Sequence, residues 1–197
     1  MLNTNQTSQR KSHLVLGGAR SGKSSFAEQQ ALCALEGCSN GRLNYIATAT
    51  YLDDEMRERI AHHKDRRGKQ WIEHEVPVEL ATKLQSFNQD DVVLIDCLTL
   101  WLNNIIFELG DDATNEQVEA VVKAFVKSVE QSPAQIIMVS NEVGLGVVPL
   151  GKVSRLFVDN AGRMNQALAR VVERVTLVAA GLPLCLKPTN HPIDIQG

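Results

Sequence analysis

Residues 17–24 read Gly17-Gly18-Ala19-Arg20-Ser21-Gly22-Lys23-Ser24, and this octapeptide decides the fold. It fits the spacing G-x-x-x-x-G-K-[ST] between an apolar run, His13-Leu14-Val15-Leu16, and a helical pattern that begins at Lys23. Glycines in such a loop let successive backbone N–H groups converge on phosphate oxygens. The helix behind the loop presents the positive end of its dipole to the same anion. Gly17, Gly18, Ala19, Arg20, Ser21 and Gly22 are therefore read as a phosphate cradle. Lys23, pointing to solvent and ligand, is read as the cation for β- and γ-phosphates, and Ser24 as a Mg²⁺ ligand. The competing reading is a glycine turn that meets the pattern by chance, and the strand and helix on its flanks argue against it.

Outward from the loop, apolar β-branched runs of strand length recur at Leu43–Thr48, Val92–Ile95, Ile136–Ser140 and Val175–Ala179. Helical patterns occupy Lys23–Glu36, Asp53–Arg66, Leu98–Leu109, Asn115–Gln131 and Arg155–Glu173. Strands and helices alternate, and the strand runs are continuously apolar, as expected for a parallel sheet covered by helices on both faces. No composition shift or repeat divides the chain. The expectation is one α/β domain over residues 13–197, preceded by a disordered polar tail at residues 1–12.

Composition narrows the function. Of 197 residues, 44% are hydrophobic and 22% charged, with 20 Lys+Arg against 23 Asp+Glu and a formal charge of -3. That balance supplies no cationic field for nucleic acid. No apolar run approaches the roughly 20 residues of a membrane span. The first dozen residues lack the apolar segment of a secretory signal, which suggests a cytoplasmic protein. Cys33, Cys38, Cys97 and Cys185 show no CxxC spacing and are expected to be reduced thiols.

Three further segments carry possible chemistry. Val92-Val93-Leu94-Ile95-Asp96 resembles the second element of a nucleotide site, an acid at the end of a buried strand that reaches Mg²⁺ or its water shell. The competing reading makes Asp96 the cap of the helix that begins near Leu98, and the phosphate loop favours the nucleotide role. The polar stretch 53–67 contains adjacent histidines: at roughly 100° per residue, His63 falls with Leu52, Met56 and Ile60, whereas His62 falls on the charged side. On spacing alone the stretch also reads as an ordinary solvated helix. Ser140-Asn141-Glu142-Val143-Gly144-Leu145-Gly146-Val147-Val148-Pro149 follows an apolar strand, at the place where open α/β sheets collect ligands. A glycine-rich connection would look the same.

Taken together, GGARSGKS, YIATATYLDDEMRERIAHHKDRR, VVLIDCLTLWLNN, VSNEVGLGVVP and FVDNAGRMNQALA, in this order, resemble the bifunctional adenosylcobinamide kinase / adenosylcobinamide-phosphate guanylyltransferase family of cobalamin biosynthesis. The resemblance covers nearly everything after the tail. It implies a P-loop NTPase-like, mostly parallel sheet in a homotrimer. It also implies two reactions: γ-phosphoryl transfer from ATP or GTP to the aminopropanol hydroxyl of adenosylcobinamide, then transfer of GMP from GTP, through an enzyme histidine, to the cobinamide phosphate. The family's nucleophile falls on His62. Its guanosine contacts fall on Ala47, Thr48 and Ala49, on His63, Lys64, Asp65 and Arg66, on Glu75 and on Asp96. A carboxylate such as Glu58, one turn before His62, would orient the imidazole and raise its pKa.

Two other functions compete with this one. A simple P-loop small-molecule kinase would use the same loop with structural histidines and form no covalent nucleotide. A nucleotide-sensing module would bind without turnover, which the acidic second element and the polar histidine stretch disfavour.

Overall fold

The computed structural model describes residues 12–36, 38, 40–49, 70–146 and 149–188. Its elements run β1 (His13–Gly17), α1 (Lys23–Glu36), β2 (Arg42–Ala47), β3 (Trp71–Glu75), α2 (Leu80–Leu84), β4 (Asp91–Asp96), α3 (Leu98–Leu109), α4 (Asn115–Gln131), β5 (Gln135–Asn141), α5 (Lys152–Val171), β6 (Arg174–Ala179) and β7 (Leu182–Lys187). The expected helix Asp53–Arg66, with Glu58, His62, His63, Lys64, Asp65 and Arg66, lies outside the described residues, as do residues 1–11 of the expected tail.

The strands form one sheet in the order β3-β2-β4-β5-β1-β6-β7. All pairs are parallel except β6 with β7, which is antiparallel. From β1 the chain crosses to one half of the sheet, and it later returns to β6 on the other side. The carboxyl end of β1 is therefore a switch point, where loops part and leave a crevice.

Alternate strand residues feed two cores. Leu14, Leu16, Val93, Ile95, Ile136 and Met138 meet Trp101, Phe125 and Met164 of α3, α4 and α5 on one face. On the other face Val15, Leu43, Leu94, Ile137 and Val139 meet Ala27 and Ala31 of α1. The two alanines are fully buried, and their small side chains let α1 lie close to the sheet. Leu98, Trp101 and Leu102 of α3 belong to the first of these cores.

Three helices, α1, α3 and α4, have the bounds expected from their periodicity. The last long helix starts three residues before the expected Arg155 and ends two before Glu173. Gly151 caps it in an extended conformation, and Val172 turns extended to feed β6. β2 runs from Arg42 to Ala47, one residue earlier at each end than expected, because Thr48 leaves the ladder. The sequence reading gave no sign of β3, α2 or β7.

Candidate active site

The phosphate loop is built where the sequence motif puts it, on the turn from β1 into α1. Gly17 ends β1, and a Cβ there would lie 2.5 Å from both Ser21 Oγ and the Val178 carbonyl, so no side chain fits. Gly22 has φ +94 and approaches Gly181, whose Cα would be 3.3 Å from a Cβ at Gly22. Arg20 also takes a left-handed φ of 56, which bends the loop back on itself. Ser21 N donates to Gly18 O at 3.3 Å, and Gly181 N donates to Ser21 O at 2.9 Å, pinning the loop to the turn between β6 and β7. Gly18, Ala19, Arg20 and Gly22 remain exposed on its outer side.

Lys23 corrects one expectation. Its side chain does not extend into solvent: it is 8% exposed, and Nζ donates to Gly18 O at 3.1 Å. The ammonium is thereby held inside the curl of its own loop, next to the N–H groups of the first turn of α1. Ser24 follows, half-buried, in that first turn. The Ser21 hydroxyl is buried without a hydrogen-bond partner among the described residues. Glycines whose Cβ positions are filled, an internal cation and an orphaned hydroxyl make a cradle suited to phosphate oxygens.

Register assembles the second half of the site. Ala47 at the end of β2 pairs with Glu75 at the end of β3 and with Asp96 at the end of β4, so three of the expected contacts share one rim. Asp96 is half-buried and accepts from Tyr45 OH at 3.4 Å. It does not cap the next helix: the cap position of α3 is Cys97, with no side-chain cap bond. Thr48 is fully buried; its hydroxyl donates to Cys97 O at 2.7 Å and accepts from Cys97 N at 2.9 Å. With the Thr48 side chain committed in this way, it ties the end of β2 to the end of β4. Ala49 is half-buried beyond it. Burial, followed by the Asp96 charge, pushes the Cys97 thiol pKa up, which keeps that sulfur protonated.

Only β5 separates β4 from β1, so Asp96, level through Val139 with Val15, stands two strand spacings, roughly 10 Å, from the phosphate-loop strand. Asn141 ends β5 in register with Gly17, and Glu142 N donates to Gly17 O at 3.1 Å. The ambiguous segment after Ser140 is thus placed against the loop. Asn141 Nδ2 donates to Thr99 Oγ1 at 2.9 Å, and Ser140 Oγ donates to Asn165 Oδ1 at 2.7 Å. On the far side, Asn104 Nδ2 bridges Thr48 O at 2.8 Å and Pro77 O at 3.0 Å.

Thr99, Asn104 and Asn165 were missed by motif reading. Their signal was a polar residue within the apolar stripe of a helix, and each one anchors a strand end. Ser24 and Asp96 together offer a hydroxyl and a carboxylate, the hard oxygen donors that suit Mg²⁺. His62, His63, Lys64, Asp65 and Arg66 fall outside the described residues, so the structure gives no position for them.

A family model described as cobinamide kinase / cobinamide phosphate guanyltransferase matches residues 13–186. The bifunctional adenosylcobalamin biosynthesis protein CobP of Pseudomonas aeruginosa is 47% identical over 175 residues, covering 88% of this chain and 96% of that protein. The proteins called CobU, with the same description, from Escherichia coli and Salmonella typhimurium are each 39% identical over 184 residues, covering 88% of this chain and 98% of theirs.

Proposed function

The chain belongs to the cobinamide kinase / cobinamide phosphate guanyltransferase family, and from that premise we propose how one phosphate loop serves two reactions in turn. Its activity is that of a bifunctional kinase and guanylyltransferase in adenosylcobalamin biosynthesis.

In the kinase step the loop N–H groups and Lys23 hold the β- and γ-phosphates of ATP or GTP. The hydroxyl of the aminopropanol arm of adenosylcobinamide then attacks the γ-phosphorus. Such a transfer is catalysed mainly by positioning and charge stabilisation, which is what this rigid cradle can supply. The Ser24 hydroxyl and the Asp96 carboxylate would hold Mg²⁺, which when bound offsets negative charge on the phosphates.

In the second step His62, as a neutral imidazole, attacks the α-phosphorus of GTP and releases pyrophosphate. The resulting phosphoramidate passes GMP to cobinamide phosphate, giving adenosyl-GDP-cobinamide. Ala47, Thr48, Ala49, Glu75 and Asp96 on the strand-end rim, with His63, Lys64, Asp65 and Arg66 beside the nucleophile, hold the guanosine. Thr48 contributes through the position of its backbone. A cytoplasmic homotrimer with sites shared between subunits completes the proposal.

The observation that carries this reading is the family match across residues 13–186, which includes the loop, the rim and the histidine pair. It is tested by supplying adenosylcobinamide with γ-labelled ATP or GTP and separately α-labelled GTP. Both labels should reach one corrinoid product. Transfer of the γ-label alone, at any GTP concentration, would leave a simple kinase.

A further inference from the structure

A groove of about 920 Å³ runs between α5 and the β6–β7 edge. That size is near the upper end of the roughly 300–1,000 Å³ usual for small-molecule sites. Its near end is formed by Leu16 and Glu142, the first preceding the phosphate loop and the second bonded to Gly17 O. The cavity therefore opens beside the place where a γ-phosphate would lie. By contrast, a cavity of about 400 Å³ bordered by Ser12, His13 and Arg174 lies at the amino ends of β1 and β6. Strand β1 alone separates that pole from the loop by roughly 16 Å, too far to present a hydroxyl to the loop.

The wall on α5 carries Gly162, Gln166, Ala169 and Arg170, the i, i+4, i+7, i+8 positions of one helical face. Gly162 sits inside the helix, at a cost to helix stability, and among the described residues a Cβ there would meet nothing within 4 Å. No packing requirement explains the missing side chain; open space does. The opposite wall continues onto β7, where Leu184 pairs with Leu177 and shares its side of the sheet. A register shift between Val175 and Thr176 leaves Leu186 unpaired in the ladder, and Leu186 lines the groove together with Leu145, 86% exposed, an apolar surface that calls for an occupant.

We propose that this groove seats the corrin ring of cobinamide, so that the aminopropanol arm reaches the phosphate loop past Leu16 and Glu142. The proposal rests on the function given above. A corrin is a broad methylated ring fringed by neutral amides. The groove offers it an apolar floor with exposed Gln166 and Arg170 at the margin as donors for amide carbonyls. The position of Leu16 and Glu142, one preceding the phosphate loop and the other bonded to Gly17 O, selects this occupant, because the reacting hydroxyl is tethered to the ring.

Equilibrium dialysis of the full-length protein against cyanocobinamide, read by corrin absorbance, tests the assignment. Gly162→Leu fills the groove and Leu186→Glu charges its wall; Gly162→Ala adds one methyl and should bind as wild type. Both disruptive variants should bind at least tenfold more weakly, while affinity for a non-hydrolysable GTP analogue is unchanged. If Gly162→Leu does not fold, Leu186→Glu carries the test. Unchanged corrinoid affinity in a folded disruptive variant overturns the groove and leaves the enzyme function standing. Unchanged affinity with a changed sedimentation coefficient in Leu186→Glu assigns the face to a second copy of the chain and also overturns it. Absence of cobinamide binding by wild type sinks the functional reading itself.

Discussion

At the level of single residues, the phosphate loop shows how few alternatives the chain has. Gly17 is enclosed by Ser21 and Val178, Gly22 by its positive φ and by Gly181, and Lys23 is folded into the curl those glycines create. The motif was legible in the sequence because each of these positions has a steric or charge requirement that few residues meet. The inward fold of Lys23 was not, because the acceptor that captures it is a backbone carbonyl, Gly18 O, which no side-chain pattern reveals. Lys23→Ala should lower kinase turnover by about a hundredfold or more, through loss of charge stabilisation on the transferring phosphoryl. It should cost the fold no more than about 1 kcal/mol, since the bond lost goes to the carbonyl of an exposed residue. Steady-state kinetics with urea unfolding checks both, and a folded variant with normal turnover would remove Lys23 from the site.

At the level of elements, what the sequence disclosed follows burial. β1, β2, β4, β5 and β6 are interior strands, so they read as mostly apolar runs, interrupted inside only by the buried Asn44 of β2, Thr176 of β6 and Ser140 of β5. β3, Trp71-Ile72-Glu73-His74-Glu75, is an edge strand with three exposed residues, and its composition resembles a loop. β7 is the other edge, with Pro183 in its interior, a residue tolerated where a ladder has a free side. Glu75 was consequently known only from family resemblance, although the register places it directly beside Ala47. Helix α4 was legible to its last residue because its start is chemically marked: Thr114 Oγ1 accepts from Gln117 N, and Gln117 Oε1 accepts from Thr114 N. Replacing Thr114 with Ala should remove this capping box and about 1 kcal/mol of stability, with activity retained. An unchanged urea midpoint would show that the buried face of α4, through Val118, Val122 and Phe125, sets its start unaided.

Over the whole molecule, the sheet has two poles with different duties. At the amino-end pole His13 is buried, with Nε2 2.8 Å from Thr176 Oγ1, and its pKa is pushed down to about 4, first by burial and then by the Arg174 charge. The folded protein keeps this ring neutral at pH values where the unfolded chain, with a pKa near 6.5, takes up a proton. Its contribution is complete above about pH 6.5 and is lost as the pH falls toward 4, on the order of 3 kcal/mol in all. Urea midpoints at pH 7 and pH 4.5 should therefore fall further for wild type than for His13→Gln, and equal falls would contradict the assignment. At the carboxyl-end pole the loop, the rim at Ala47, Glu75 and Asp96, and the strand-end asparagines converge, which accounts for a single binding crevice but not by itself for two reactions. In the proposed mechanism the second reaction depends on His62, to which family position and the charged side of its expected helix both lead. The most direct test is denaturing electrophoresis after incubation with α-labelled GTP, applied to wild type, His62→Ala and His63→Ala. Wild type and His63→Ala should carry an acid-labile, alkali-stable label, while His62→Ala should carry none and keep most of its kinase activity. A label that persists in His62→Ala, or one never found on wild type, would contradict the guanylyl-histidine route.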